Sequence, residues 1–531
     1  MLLIIFLAIL SAVAFYFNVI KKYNYWRDLG VPHVRPMYFF GNLAPNVFRT
    51  KSMPQIIKDV YNKFPKSRYV GFYNASEPIL ILRDPELIKN VTIRDFDSFP
   101  NHKQIMPYNV DVLWGKNLFQ MSTEDGWHSM RSTLSPSFTS SKMKYMFKLM
   151  QVCATQFVNY FKTENGEVAL EAKDSFTRFA NDIIATCAFG VQCNSLVDRN
   201  NEFYVMGKEV TDFTGFKALK MFGYEISSTL MRLLNVKMFS NNVASFFRKI
   251  VRETIHYRKQ NNVVRPDMIH LLLEASKKLQ NPSETAKSKS DGSELSHDDI
   301  TAQALIFFFA GFETISSAMC YLCYELAIHP EIQQRLYNEL KETLKTSPQL
   351  AYENIASMKY LDSVISESLR LHTLAPFLDR KCHKSYTIEA ANQSEKSLHI
   401  RKGQTVWVPV GAIHHDEQYH PNPLKFDPER FNAENRYKIN TSTYLPFGSG
   451  PRNCIGKTKL DSLVQELNTR IVLGSRFALL ELKLLTVEIL RNFEIVPNNK
   501  TQIPLKNNTS SLNGLPDDGL FMSFKSRALS L

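Results

Sequence analysis

The stretch that decides the fold is FGSGPRNCIG, which occupies residues 447–456. Three glycines and one proline surround Cys454 here, with Phe447 seven positions before the cysteine and Arg452 two positions before it. Glycine accepts positive φ angles and lets the backbone approach a flat neighbour closely, and proline stiffens a turn. The spacing therefore predicts a rigid loop that presents the Cys454 thiolate to a bound group.

A cysteine thiolate is one of the axial ligands that proteins supply to haem iron, where it favours cleavage of the O–O bond. The alternative is a glycine-rich surface loop with an incidental thiol. The run matches every fixed position of Phe-x-x-Gly-x-Arg-x-Cys-x-Gly and therefore resembles the haem-binding signature of the cytochromes P450. The resemblance implies haem b with Cys454 as the iron ligand and Phe447, Gly448 and Arg452 around it.

Composition limits the classes of protein that this chain can represent. The 531 residues are 44% hydrophobic and 12% aromatic, which supports a large buried core. The formal net charge of +13 favours an acidic partner or an anionic membrane over nucleic acid, because no basic cluster accompanies a nucleic-acid motif. The seven cysteines are sparse and odd in number, so they indicate a reducing compartment rather than a disulfide framework.

An uncharged apolar run occupies residues 2–20 and, as a helix, would span roughly 28 Å, enough for a bilayer core. Ala12-Val13-Ala14 resembles a signal-peptidase site, but no positive residue precedes the run, so an uncleaved anchor is favoured. The basic residues that follow predict a luminal N-terminus and a cytosolic body at the endoplasmic reticulum membrane. The expected order is a transmembrane anchor over 1–20, a basic and proline-containing hinge over 21–36, and a catalytic domain over 37–531.

A second apolar run predicts a long core helix over residues 298–329. Ser296 and Asp299 have the spacing of a capping box at its start. A transmembrane span is the alternative, but the uncharged part ends at Glu313 and is too short to cross a bilayer. We therefore expect this helix to lie in the centre of the domain.

The run Ala-Gly-Phe-Glu-Thr at 310–314 places an acid and a hydroxyl inside that apolar helix, where both are costly unless they are satisfied. Gly311 can let the helix open around a small ligand, Thr314 can hydrogen-bond dioxygen or water, and Glu313 can supply protons. The alternative is a threonine bonded to its own helix beside an unrelated glutamate. The run resembles the oxygen-activation motif of the same family, which implies catalytic roles for Thr314 and Glu313.

Four donors match the positions that bind the haem propionates in the family. Trp127 and Arg131 lie four positions apart on one helix face, where an indole N–H and a guanidinium can both donate to a carboxylate. Arg380 and Arg452 match two further positions. Any one of these arginines alone would be read as a surface charge, so the order of all four along the chain supports the resemblance.

A structural triad is also implied by resemblance. Glu367 and Arg370 match Glu-x-x-Arg, and Arg430 lies in Pro-Glu-Arg-Phe about sixty residues later. In the family these side chains form a buried network beneath the haem. Taken alone, Glu367 and Arg370 would be an ordinary pair on one helix face.

The resemblance implies a mainly α cytochrome P450 fold, with one large domain and small β-sheets near 68–82 and 385–410. It implies monooxygenation with electrons from NADPH, delivered by a flavin-containing cytochrome reductase with an acidic docking surface, and it admits cytochrome b5 as a second donor. The hinge and several short runs resemble the insect microsomal family 6 type, which acts on xenobiotics, plant toxins or insecticides. An endogenous lipid is the alternative substrate. Apolar side chains predicted to line the substrate pocket are Phe307, Phe308, Phe377 and Leu378.

Residues 457–474 separate two halves of one motif, because Gly456 is normally followed at once by the equivalent of Ser475-Arg476-Phe477-Ala478. The segment has helical spacing of its own and could compete with 476–491 to pack behind the haem, although 476–491 is favoured because it is apolar on more faces. Its ends are compatible with an intron retained in a gene model. The alternative functions are a catalytically impaired haem-binding membrane protein and, more remotely, a membrane-anchored helical protein without haem.

Overall fold

Helices form most of the structure, and three small sheets lie at its margins. The computed structural model describes residues 21–104, 106, 110–162, 166–213, 215–265, 267–280, 295–346, 350–393, 395–455, 476–506, 508, 514–516 and 518–527. The predicted anchor over 1–20 and the insertion over 457–474 therefore lie outside the described residues. The predicted mainly α fold with small sheets is confirmed.

The described α-helices are numbered in chain order and range from single turns to a helix of 32 residues. They are α1 Tyr25–Asp28, α2 Ala44–Val47, α3 Met53–Lys63, α4 Pro85–Lys89, α5 Val112–Gly115, α6 Trp127–Leu134, α7 Ser140–Lys162, α8 Ala172–Ile184, α9 Glu202–Thr211, α10 Gly215–Leu233, α11 Asn241–Asn261, α12 Met268–Gln280, α13 His297–Ile328, α14 Pro330–Thr346, α15 Tyr352–Ser357, α16 Lys359–Leu371, α17 Val410–His414 and α18 Arg476–Asn492.

Helix α13 is the centre of the fold. Ser296 caps its first turn and forms the predicted capping box with Asp299, which satisfies two backbone N–H groups at the helix start. Most of the helix is buried, and it packs against α5, α8, α11 and α18. By length and composition it could cross a membrane, but its apolar side chains are instead covered by other helices. It is the predicted core helix.

Three sheets frame the helices, and their strands are β1 Tyr69–Asn74, β2 Glu77–Leu82, β3 Glu167–Glu171, β4 Leu378–Lys381, β5 Tyr386–Ile388, β6 Leu398–Ile400, β7 Thr405–Val408, β8 Phe493–Val496 and β9 Phe521–Ser526. The first sheet has the order β1-β2-β7-β4, in which only β2 and β7 run parallel. The second has the order β3-β9-β8, and the third pairs β5 with β6. The third sheet and strands β1, β2 and β7 lie in the predicted regions, whereas β4 lies just before the second region. The second sheet joins segments about 350 positions apart for which no strand was predicted.

The predicted hinge begins as part of the folded domain. Lys21–Asn24 forms a 3-10 turn that continues into α1, and Trp26 is completely buried. Its Nε1 donates to the carbonyl of Phe72 over 3.0 Å. Its ring packs directly on Gly71, where an added Cβ would lie only 2.4 Å from a ring carbon. The tryptophan thus holds the first half of this segment against the first sheet, and a parallel bridge between His33 and Gly71 holds the second half there as well.

Candidate active site

A cavity of about 310 Å³ lies between the middle of α13 and the loop that carries Cys454. Ala310, Gly311 and Thr314 of α13 line one side, and Phe447, Gly448 and Cys454 line the other. The remaining walls come from α7, α8, α12, α16, the first turns of α18 and connecting segments near residues 138, 187 and 375, and nearly all of their side chains are apolar. The structure thus brings the cysteine loop and the threonine of the helix motif to one apolar cavity.

Two glycines allow the cysteine loop to take its shape. Gly448 and Gly450 have φ angles of 76° and 72°, a region that L side chains rarely adopt. A Cβ on Gly450 would lie 1.7 Å from the carbonyl oxygen of Thr92, so the loop rests directly on another backbone segment. The N–H of Cys454 donates to the carbonyl of Phe447 over 2.9 Å. This bond closes the loop and fixes the backbone that carries the thiol.

Arg452 lies at the centre of a buried cationic cluster beside this loop. Its guanidinium donates to the carbonyls of Pro100 and Met121 and to Oδ1 of Asn101, over 2.8 to 3.1 Å. It also stacks over the ring of Trp127, with 3.9 Å between the guanidinium carbon and the ring centre. Burial, followed by repulsion from two nearby arginines, lowers the pKa of Arg452 to about 9.

Arg380 and Arg131 are the other two members of the cluster. Arg380 donates to the carbonyls of Asp379 and Ser449, while its buried Nε has no hydrogen-bond partner among the described residues. Burial lowers the pKa of Arg380 to about 10, although Asp379 opposes the shift. Arg131 donates to Oδ1 of Asn453 over 2.9 Å and lies close to Cys454. Positive charge thus exceeds negative charge at this edge of the cavity.

These residues fit a haem. Among the described residues, no group of three or more His, Cys, Asp or Glu side chains could hold a bare metal ion, whereas a single thiolate suffices for iron already held by a porphyrin. The carboxylates of a haem would balance the positive charge of Arg131, Arg380 and Arg452. They would also supply a hydrogen-bond acceptor for the Nε of Arg380, which has none among the described residues. The flat, apolar ring suits the apolar walls of the cavity.

Comparisons with known proteins agree with this geometry. The cytochrome P450 family model matches residues 31–458. The chain belongs to the cytochrome P450 family. It is 41% identical over 526 residues to cytochrome P450 9e2 of Blattella germanica, with 95% of this chain and 94% of that protein covered. Probable cytochrome P450 9f2 of Drosophila melanogaster is 38% identical with 98% of each covered, and cytochrome P450 6k1 of Blattella germanica is 34% identical with 96% and 94% covered.

The predicted relationship to insect cytochromes P450 is therefore confirmed, with relatives named in families 6 and 9. The chain is a P450 monooxygenase, and its family implies a haem iron bound by a cysteine thiolate.

The run at 310–314 lies within an uninterrupted helix. Gly311 does not interrupt the helical backbone of α13. Because glycine has no side chain, Ile184 of α8 packs closely against it, with Cδ1 2.4 Å from the position that a Cβ would take. The hydroxyl of Thr314 donates to the carbonyl of Ala310. The carboxylate of Glu313 forms an ion pair with Lys173, with 2.7 Å between Oε1 and Nζ. Thr314 is among the described residues that line the cavity, and Glu313 is not.

Two of the four predicted pocket residues line the cavity, namely Phe307 and Leu378. Phe308 does not, because on a helix it points about 100° away from Phe307 and packs among aromatic rings of α9, α11 and α13. Phe377 does not either, since it stacks on Trp407 of the first sheet with 4.2 Å between ring centres. Apolar character in the sequence does not reveal which side of an element faces this cavity.

The structure brings Glu367, Arg370 and Arg430 together. Arg370 donates to both carboxylate oxygens of Glu367 over 2.7 and 2.8 Å, and Arg430 Nε lies 3.3 Å from Oε1. Glu367 and Arg370 are completely buried. The carboxylate also accepts from the backbone N–H of Asp427, so the network ties α16 to the segment that precedes the cysteine loop.

Sequence reasoning missed two mostly buried residues beside the cationic cluster. His102 Nδ1 lies 2.8 Å from Oδ1 of Asp379, and its ring stacks on Phe119. Burial alone would raise the pKa of Asp379, but His102 and the backbone N–H of Lys103 hold it at about 2. His102 lies in a loop, whereas Asp379 lies in β4. The only signal for Asp379 was its position next to Arg380, and His102 had none.

Proposed function

We propose that this P450 inserts one oxygen atom of O2 into an apolar small molecule, using NADPH electrons delivered by a separate reductase. The observation that carries the proposal is the shared cavity, in which Cys454 and Thr314 face each other across apolar walls. A xenobiotic, plant toxin or insecticide is the favoured substrate class, and an endogenous lipid is the alternative.

The residues of the candidate site have distinct roles in this proposal. Cys454 holds the haem iron; bound haem supplies the activation of O2. Trp127, Arg131, Arg380 and Arg452 hold the haem carboxylates and thereby fix the plane of the ring. Thr314 places a hydroxyl on the cavity side of α13, where it can hold a proton or a water close to the reacting oxygen.

The walls of the cavity support an apolar substrate. Phe307, Leu374 and Leu378 contribute side chains from α13 and from the segment after α16. Such walls offer almost no partner for a polar substrate group, so burial of apolar surface supplies most of the binding free energy. They also exclude bulk water from the reacting atoms.

We propose a location at the endoplasmic reticulum membrane, with residues 1–20 as the anchor and a luminal N-terminus. Exposed apolar side chains support membrane contact, since Phe39 and Phe48 after the hinge are 55% and 56% exposed, and Phe216 of α10 is 71% exposed. Phe40 stacks on Phe222 of α10 with 6.0 Å between ring centres, so the two exposed segments form one surface. The first of these two segments follows the predicted hinge in the chain.

The formal net charge of +13 supports an acidic electron donor as the partner. NADPH–cytochrome reductase carries the flavins in this proposal, and cytochrome b5 is the second donor. The P450 itself binds neither NADPH nor flavin.

The experiment is turnover under ¹⁸O2 with NADPH, a microsomal reductase and a panel of apolar compounds such as alkoxycoumarins. We expect product that carries one ¹⁸O atom and requires both NADPH and the reductase. Label from water, or product that forms equally without the reductase, would contradict the proposal.

A second candidate function is a haem-binding membrane protein with impaired catalysis. The observation in its favour is the insertion over 457–474, because the family match ends at residue 458 and α18 begins only at Arg476. Haem binding without product in the ¹⁸O2 experiment would support this candidate. Transcripts across the junction test whether the insertion is a retained intron, since transcripts that consistently keep the segment would exclude that origin.

A further inference from the structure

We propose that a second cavity, separate from the one beside Cys454, binds a small organic carboxylate. This second cavity has a volume of about 130 Å³ and lies between α3, the C-terminal end of α16 and α17. No described residue lines both this cavity and the first one. The site is therefore additional to the one in which the monooxygenase reaction is proposed to occur.

The walls of the second cavity combine polar and apolar side chains, unlike the almost wholly apolar first cavity. Ser52, Lys58 and Tyr321 are among its polar residues, and Pro54 and Leu371 are among its apolar ones. No Asp or Glu side chain is among the described residues that line it. A ligand that fits such walls has an anionic group at one end and an apolar remainder.

The Lys58 ammonium is held in the second cavity by a neutral histidine. Its Nζ lies 3.2 Å from Nδ1 of His415, and Nε2 of the same ring lies 2.8 Å from the carbonyl oxygen of Leu371. Because a carbonyl can only accept, Nε2 carries the hydrogen and Nδ1 accepts from the ammonium. Burial, followed by repulsion from Lys58, lowers the pKa of His415 to about 4. The ring thus orients the lysine without balancing its charge.

The acids near Lys58 are bonded to other groups. Asp59, the next residue, forms an ion pair with Lys51 over 2.7 Å. Glu325 lies behind the lining, with 2.6 Å between its Oε1 and Nε2 of His372. Burial lowers the pKa of Lys58, although the charge of Asp59 opposes the shift. A half-buried cation in this position is stabilised by an anion that enters the cavity.

A carboxylate fits the charge and the size of the second cavity. One ammonium balances the single negative charge of a carboxylate, whereas a phosphate carries more. The hydroxyl of Ser52 accepts from the N–H of Gln55 over 3.3 Å and keeps its own hydrogen for a ligand. One water needs about 10–15 Å³ of such space, so a volume of about 130 Å³ has room for a carboxylate on one ring or a short chain.

The segment that follows α16 is a wall common to both cavities. Leu374 and Leu378 of this segment line the first cavity, whereas Thr373 and Pro376 line the second. A ligand of the second cavity therefore contacts the back of a wall that shapes the first one. We expect binding in the two cavities to be coupled, so that each ligand changes the affinity for the other by the same factor.

The first measurement is calorimetric titration of the full haem-loaded chain with benzoate and with benzamide, which has the same shape without the charge. We expect benzamide to bind wild type about tenfold more weakly than benzoate, and Lys58→Met to weaken benzoate by about the same factor, as for one hydrogen bond to a charged group. Lys58→Arg should retain binding, and so should the control Lys63→Met, since Lys63 is exposed at the end of α3. Absent benzoate binding, equal affinities for the two probes, or equal effects of Lys58→Met and Lys63→Met would overturn the site.

The second measurement separates the two cavities with phenylimidazole, whose ring nitrogen binds haem iron in the first one. We expect benzoate to bind with phenylimidazole present, and benzoate to change the Kd of phenylimidazole in wild type but not in Lys58→Met. Displacement of benzoate by phenylimidazole would place benzoate in the first cavity and overturn the second site, and an unchanged Kd would overturn the coupling. Neither measurement requires turnover, so these outcomes are independent of the proposed monooxygenase function.

Discussion

Single residues carry the charge balance of this P450. The cysteine loop is surrounded by arginines whose partners are mostly backbone carbonyls, and burial lowers the pKa values of Arg380 and Arg452 to about 10 and about 9. Buried cations without carboxylates are costly, so the site is organised to receive an anionic cofactor. In a separate network, Glu367 forms ion pairs with both Arg370 and Arg430.

Glu367→Gln should therefore destabilise the protein strongly. The amide keeps the shape of the side chain but removes the charge that compensates Arg370 and Arg430, and breaking a buried network of this kind costs about 3–5 kcal/mol. Urea unfolding of the two proteins measures this loss. Glu342→Gln is the control, because its pair with Lys345 is about 70% exposed on both sides and should change stability by less than about 1 kcal/mol. Equal effects of the two changes would refute a structural role for the network.

At the scale of elements, local signals predicted the helices that position the site. The capping box at Ser296 and the long apolar run were sufficient to predict α13. The apolar faces of 476–491 were sufficient to predict α18, which the structure shows as Arg476–Asn492. The sheet β3-β9-β8 was not predictable, since its stability comes from pairing between distant segments. The ion pair between Lys173 and Glu313 was missed for the same reason.

Helix α18 contains a buried acid, Glu481, that should make the stability of the protein depend on pH. Glu481 is completely buried, neither carboxylate oxygen has a partner among the described residues, and burial raises its pKa well above 4.5. The folded protein thus keeps its proton at pH values where the unfolded chain loses it. The contribution of Glu481 to the free energy of unfolding is therefore constant below pH 4.5, and it falls as the pH rises toward the pKa of the folded state.

Glu481→Gln should remove this pH dependence, because the amide does not titrate. We expect wild type to lose up to about 1.4 kcal/mol per pH unit relative to the variant within that window. Urea unfolding at a series of pH values measures the difference. The exposed Glu494→Gln should keep the wild-type slope, and a Glu481→Gln protein with the same slope as wild type would contradict a protonated Glu481 in the fold.

At the scale of the whole molecule, the order of motifs predicted more than any single motif. The family, the mainly α fold and the location of Cys454 opposite Thr314 follow from residues spread over the chain, because each motif limits where the others can lie. The side chains that line the cavity could not be predicted in this way, since Phe307 and Phe308 are equally apolar and only their packing differs. The separation of Cys454 from α18 by 457–474 is the feature in which this chain differs from the pattern of its family.

The central claim is that Cys454 binds haem iron as a thiolate in the full chain, and the ferrous–carbon monoxide spectrum tests it most directly. We expect a thiolate-type band in wild type, its loss in Cys454→Ser, and its retention in Cys382→Ser, which removes a buried cysteine outside the cavity. An imidazole-type band in wild type, or an unchanged thiolate-type band in Cys454→Ser, would contradict the account.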